Sequence, residues 1–341
     1  MLVARLHDVA DLRVADEPTP PAEPGLSLVR VTAIGICGSD LHWWAEAGIG
    51  DALLERPLVP GHEAAGVIEQ GPRRGERVAI DPAIACDSCR PCRAGYRNLC
   101  LNIRFAGHGR TDGAMREYLT WPSHLLHRLP DSVTDADGAL LEPLGVAVHA
   151  ADLGHLQLAG SAAVVGCGPI GLLLIQVLLA AGAASVIAFE PLPHRREAAG
   201  RLGADVLADP ADPLGPDELS ELTRGGVDVA FEMAGTEAGV QLAMSAVRPG
   251  GRVVLGGIPS EDLISFRASA ARRKGLTIAM VRRMNETYPR AIHLAVSGKV
   301  DLSIVSYRFP LSKAQDAFAA AAGRSGHKVL VEPGRDDDQR G

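Results

Sequence analysis

The rhythm of apolar and polar positions changes near residue 160. Before it, short apolar runs such as 26–31, 64–69 and 76–80 are broken by glycine and proline, which predicts a β-dominated domain. After it, apolar strand-length runs at 162–165, 185–189, 205–208, 228–233, 252–255 and 277–281 alternate with helix-length segments at 169–181, 193–202, 237–247 and 288–297. That alternation predicts a parallel, doubly wound sheet. From 301 the pattern turns mixed again, with strands 303–309 and 328–331 around a helix at 312–321, a segment expected to fold back onto the first domain. Residues 334–341 are charged and apolar-poor, and disorder is expected there.

Composition narrows the picture. A chain of 341 residues that is 47% hydrophobic can bury two cores. Its net charge of −7 argues against a nucleic-acid partner, because phosphate binding needs a concentrated basic surface and the arginine clusters here are short and scattered. The nearly uncharged run 168–189 is long enough to span a bilayer, but Gly182 divides it into a helix-length and a strand-length piece, so no membrane association is expected. The start of the chain shows no secretory signal, and a cytoplasmic location is expected. Without such a signal, six cysteines with four crowded between 86 and 100 point to metal rather than to disulfides.

Those four form Cys86-x2-Cys89-x2-Cys92-x7-Cys100, a spacing that suits tetrahedral zinc, although an iron–sulfur cluster also takes four thiolates. A closed four-thiolate site has no open position, so it is expected to hold a loop. Gly166-Cys-Gly168-Pro169-Ile170-Gly171 follows an apolar strand and opens a helix, the context in which glycines let a backbone approach a pyrophosphate. Glu190 ends the next strand, where a carboxylate accepts from ribose hydroxyls, which favours NAD; Arg195 and Arg196 lie close enough to accommodate a ribose phosphate instead. Cys37, His62 and Glu63 make a candidate S/N/O ligand set, although spacing alone leaves a buried thiol and a charged turn as the ordinary readings.

Taken together, Cys37-Gly-Ser39-Asp-Leu-His42, Gly61-His62-Glu63-x2-Gly66-Val67, the four-cysteine lobe and Gly166-x-Gly-x-x-Gly171 resemble the zinc-containing medium-chain dehydrogenases, over residues 2 to 333. Asp40-Leu-His-Trp-Trp44, Gly48-Ile-Gly-Asp51 and Leu141-Glu142-Pro143 are similar to the sorbitol, xylitol and idonate branch. The resemblance implies an α/β protein with a GroES-like β-rich catalytic domain, residues 1–150 with 296–341, and a Rossmann domain, residues 151–295, with the site in the cleft between them. It implies two zinc ions per chain: a structural one in the lobe and a catalytic one on Cys37, His62 and Glu63, with Glu142 as an alternate ligand or a bridge through water. Ser39 and His42 match a proton relay and Arg282 a substrate-contacting arginine, while Arg283 departs from the aromatic residue common in that branch; Trp43 and Trp44 are candidates for the pocket wall, with ordinary packing as the alternative.

The expected activity is NAD-dependent oxidation of a secondary hydroxyl on a small polar substrate, a polyol or sugar acid, by a homodimer or homotetramer. Oxidation of simple secondary alcohols or threonine is the nearer alternative, and a non-catalytic NAD- and zinc-binding regulator the more distant one.

Overall fold

The computed structural model describes residues 1–212 and 216–335, so most of the charged end of the chain lies outside the described residues. The chain divides into two compact units, one made of residues 1–142 with those from 302 onward, the other of residues 143–301.

The first unit is built on a mixed sheet ordered Leu126–Arg128, Arg77–Ile80, Glu63–Gln70, Leu26–Gly35, Lys328–Glu332 and Val305–Pro310, with Tyr118–Pro122 also paired to Leu26–Gly35. All pairings are antiparallel except the last, in which Val305–Pro310 runs parallel to Lys328–Glu332. Leu26–Gly35 is buried along most of its length, as its aliphatic composition requires of a central strand. Its register sets Gly35 opposite both Glu63 and Leu330. A side chain at Gly35 would run into Glu63 and come within 2.9 Å of Lys328, so the bare glycine leaves the space in which those two side chains meet. Leu6, Ile34, Trp43, Ile68, Met115 and Phe318 anchor this unit's apolar core.

The second unit carries a parallel sheet ordered Val206–Ala208, Ser185–Phe189, Ser161–Val165, Val227–Glu232, Val247–Leu255 and Thr277–Met280. Numbered along the chain this is 3-2-1-4-5-6, with the switch point between Ser161–Val165 and Val227–Glu232, where a dinucleotide is ordinarily held. The expected elements are present within a few residues. Helix Pro169–Ala180 is buried almost throughout, which accounts for its lack of charge, and among the described residues no helix is long and apolar enough to cross a membrane.

Five of the described α-helices escape the sequence pattern, among them the short Arg90–Arg93 and Pro216–Leu222. Gly38–Glu46 opens on Gly-Ser-Asp, which reads as a turn. Asp135–Gly154 contains Gly138, Pro143 and Gly145, residues that ordinarily interrupt helices. Ala268–Lys274 is short and has no buried residue, so it lacks an apolar stripe.

Candidate metal and cofactor sites

Cys37 is the N-cap of helix Gly38–Glu46, and His62 and Glu63 stand at the entry to strand Glu63–Gln70. One ligand atom from each of the three lies within 4.8 Å of the others. His62 and Glu63 are buried. Asp40, fully buried one helical turn after Cys37, organises the group: its carboxylate accepts the Cys37 N–H at 3.0 Å and the Gly61 N–H at 3.0 Å, and lies 3.4 Å from His62 Nδ1. Burial would raise the Asp40 carboxyl, but the His62 charge and these hydrogen bonds prevail and hold it below its ordinary value. With Nδ1 committed to a carboxylate, His62 presents Nε2 as its ligand nitrogen, the arrangement that orients imidazoles at metal centres. A half-buried cysteine sulfur, a buried imidazole and a buried carboxyl group, mutually close, fit a zinc ion with one position left open.

Around this triplet, Ser39 Oγ is 3.5 Å from His62 Nε2, and His42 Nδ1 is 3.1 Å from Glu46 Oε1 one turn on. The Lys328 ammonium contacts Glu63 Oε2 and donates to the Ile36 carbonyl at 2.9 Å. Burial opposes the charge on Lys328, yet Glu63, Cys37 and Asp40 raise its pKa above the ordinary value. Glu142 is buried nearby but is not among the three mutually close ligand atoms; burial pushes its carboxyl up to about 7 against the pull of His62. Trp43 and Trp44, adjacent on a helix, point in different directions. Trp43 is fully buried, edge-on to the His108 ring at 5.2 Å, whereas Trp44 tilts against Phe318 and donates to Gln315 at 3.4 Å. Phe105 packs 5.3 Å from the His62 ring.

In the lobe, Cys89 Sγ stands 3.4 Å from Cys92 Sγ and 3.9 Å from Cys100 Sγ. Sulfurs at the corners of a zinc tetrahedron with bonds of about 2.3 Å are about 3.8 Å apart, so the four thiols hold the spacing a shared ion demands. Hydrogen bonds from Ser88 bring the Cys86 thiol down to about 5, a thiolate ready for metal.

The glycine turn has the shape its sequence implies. Gly166 has φ of +93°, and a Cβ there would come within 2.8 Å of the Ala234 nitrogen. Gly168 caps helix Pro169–Ala180, with Pro169 and Ile170 opening it and Gly171 packed so closely on Gly166 that no side chain fits. Glu190 is buried, accepting the Cys167 N–H at 2.7 Å and the Leu192 N–H at 3.0 Å. Arg196 is tied to the Glu190 carbonyl and to Asp209, while Arg195 reaches to 3.8 Å from where a Gly168 Cβ would stand. Arg282 is exposed just beyond strand Thr277–Met280.

Lys328 and Glu232 are absent from the candidates that sequence reasoning supplies. Glu232 ends its strand fully buried, accepting the N–H groups of Ala234 at 2.9 Å and Gly235 at 2.7 Å, and so shapes the turn against which Gly166 packs. The signal in each case is a charged residue at the first or last position of a mostly apolar strand.

Residues 23–131 match the alcohol dehydrogenase GroES-like domain and residues 169–297 the zinc-binding dehydrogenase family. The chain is 33% identical to a sorbitol dehydrogenase of Bacillus subtilis, with 98% of each protein covered, and 34% identical to a probable D-xylulose reductase A of Neosartorya fischeri, covering 96% of this chain and 95% of that one. Among solved structures, L-idonate 5-dehydrogenase of Escherichia coli superposes with a TM-score of 0.91 at 25% identity over 97% of both chains. A putative zinc-binding dehydrogenase of Sinorhizobium meliloti bound to NADP gives 0.89 at 30% identity over 97% of this chain and 99% of that one. With motifs, fold and full-length similarity in agreement, the chain belongs to the zinc-dependent medium-chain dehydrogenases, in their polyol branch.

Proposed function

We propose that this protein oxidises a secondary hydroxyl of a polyol or sugar acid, with NAD as hydride acceptor and Cys37, His62 and Glu63 holding a catalytic zinc. The observation that carries the reading is the close cysteine–histidine–glutamate triplet, braced by Asp40. When bound, zinc supplies the Lewis acidity that makes a hydroxyl acidic near neutral pH, and NAD supplies the site to which hydride goes. The chain's own residues then hold and move the proton. Ser39 Oγ, beside His62 Nε2, receives it, and His42 passes it to solvent, its Nδ1 steadied by Glu46 so that Nε2 stays open. Phe105, packed on the His62 ring, excludes water from that side of the triplet. The backbone of Gly166–Gly171 takes the dinucleotide pyrophosphate at the opening of helix Pro169–Ala180, with Glu190 and Arg195 at the ribose end. Arg282 is assigned to the substrate and Trp44 to the outer wall of the pocket.

Six free cysteines are in keeping with a reducing cytoplasm. The exposed edge strand Thr277–Met280, with Met280 63% exposed, supports pairing of two copies into a homodimer, or two such pairs into a homotetramer.

The test is NADH formation across sorbitol, xylitol, idonate, threonine and 2-butanol, with a chelated control and NADP in parallel. Chelator-sensitive turnover of a vicinal diol with NAD is expected. Activity confined to 2-butanol or threonine would replace the polyol assignment, and silence throughout would sink the catalytic reading.

A further inference from the structure

We propose that Asp112 is a positioning residue for the metal centre: it sets the loop that delivers His62, although it touches none of the three ligands. This rests on the reading of Cys37, His62 and Glu63 as a zinc site.

Asp112 Oδ1 accepts the Val59 N–H at 3.1 Å. The next three residues continue the clamp: Gly113 donates to the Val59 carbonyl at 2.7 Å, Ala114 to the Gly61 carbonyl at 2.9 Å and Met115 to the Pro60 carbonyl at 3.0 Å. The backbone that enters His62 is therefore gripped at every residue from 59 to 61. On its other side, Gly61 donates to Asp40, the carboxylate that also faces His62 Nδ1. The fit is tight enough to exclude side chains. A Cβ on Gly113 would come within 2.5 Å of the Pro60 carbonyl oxygen, and one on Gly107 within 2.8 Å of the Gly61 nitrogen.

Three guanidinium groups fix Asp112 in turn. Arg5 Nη1 is 3.1 Å away, Arg116 Nη2 3.4 Å and Arg56 Nη2 3.9 Å. Arg116 is buried and also donates to the Gly113 carbonyl at 3.0 Å. A carboxylate held from three sides has little freedom of its own, so the Val59 amide it accepts is fixed with it. Arg5 has a second partner, Glu17, at 2.7 Å, which fastens the first strand without reaching the 59–61 loop. That difference separates positioning from plain stapling.

The experiment compares Asp112→Asn with Glu17→Gln in the full-length protein. Each is read by thermal midpoint, by chelator competition for both zinc ions, and by cadmium NMR, in which an ion on four thiolates and an ion on one resonate far apart. Asp112→Asn is expected to weaken binding of the ion on Cys37, His62 and Glu63 about three- to tenfold, less than the roughly ten- to a hundredfold lost with a direct partner of a metal ligand. It should move the one-thiolate resonance and leave the four-thiolate resonance in place. Glu17→Gln is expected to lower the thermal midpoint and change neither metal property. Equal thermal losses in both variants with unaltered metal binding would overturn the proposal.

If Asp112→Asn fails to fold, Gly113→Ala decides, because it presses the same loop and keeps every charge; an unaltered one-thiolate site in that variant would equally overturn it. Uptake of a single ion by the unmodified protein, on four thiolates only, would instead overturn the underlying assignment of the zinc site.

Discussion

The Lys328 ammonium and the Glu63 carboxylate meet inside the first unit with side-chain exposures of 2% and 1%, against a triplet of candidate metal ligands that includes Glu63 itself. A buried carboxylate needs a counter-charge, and in the metal-free protein Lys328 provides it. Zinc on the same carboxylate, as proposed, would provide it again, which would make the two cations partial substitutes.

Lys328→Met is therefore expected to destabilise the metal-free protein by about 3–5 kcal/mol, the usual result of stranding one member of a buried pair. The loss should shrink on loading with zinc. Denaturant unfolding with and without chelator measures both, and an equal loss in the two conditions would show that Lys328 acts only as packing.

The two metal groups should come apart by mutation. Cys37→Ser is expected to lose one zinc ion per chain and activity by several orders of magnitude, with the thermal midpoint little changed. Cys89→Ser is expected to lose the other ion and to lower the thermal midpoint, because that lobe has little apolar core of its own. Metal analysis of the purified variants gives the counts, and loss of the same ion by both would contradict two independent sites.

Cofactor choice should turn on Glu190 and Arg195. Removing the carboxylate in Glu190→Ala strands the Cys167 N–H and loosens the glycine turn, so KM for NAD should rise. Its removal also takes away the repulsion of a ribose phosphate, so the preference for NAD over NADP should narrow, and Arg195→Ala in that background should restore it. Steady-state kinetics with both dinucleotides reads the ratio; an unmoved ratio in either variant would place the discrimination elsewhere.

A pH dependence of stability is expected from His127, on strand Leu126–Arg128. Burial, aided by Arg73, brings its pKa down to about 4 even though Asp81 lies 4.0 Å away. The folded state thus favours neutral His127 while the unfolded chain protonates near 6.5. The contribution is whole above about pH 6.5 and is lost as pH falls toward 4, with a slope of at most about 1.4 kcal/mol per pH unit. His127→Gln should flatten the urea midpoint between those limits, and an unchanged slope would assign the acid sensitivity to other groups.

What was readable in the sequence was local. The central strands Ser161–Val165 and Ser185–Phe189 of the second unit are buried along nearly their whole length and stand out as nearly unbroken apolar runs, and the cysteine lobe announces itself by spacing. The helix Asp135–Gly154 was not readable, because Pro143 and its glycines disguise a long apolar face that tertiary packing supplies. Neither was Lys328. Its place beside Glu63 depends on a register at Gly35 that joins positions 292 residues apart, as the bond from Lys328 to Ile36 shows. Asp112 reads as an ordinary solvated charge until three arginines from separate stretches of chain are brought around it.

That same register has a consequence for how the protein comes to be. Strand Leu26–Gly35 leaves the ribosome well before its partner Lys328–Glu332, with the whole second unit made in between. Such non-local pairing closes late, after loop entropy has been overcome. The first sheet therefore stays unfinished, and Glu63 without Lys328, until strand Lys328–Glu332 has been made. The surroundings of the candidate triplet are in this way complete only after the strand that carries Lys328 has been made and paired.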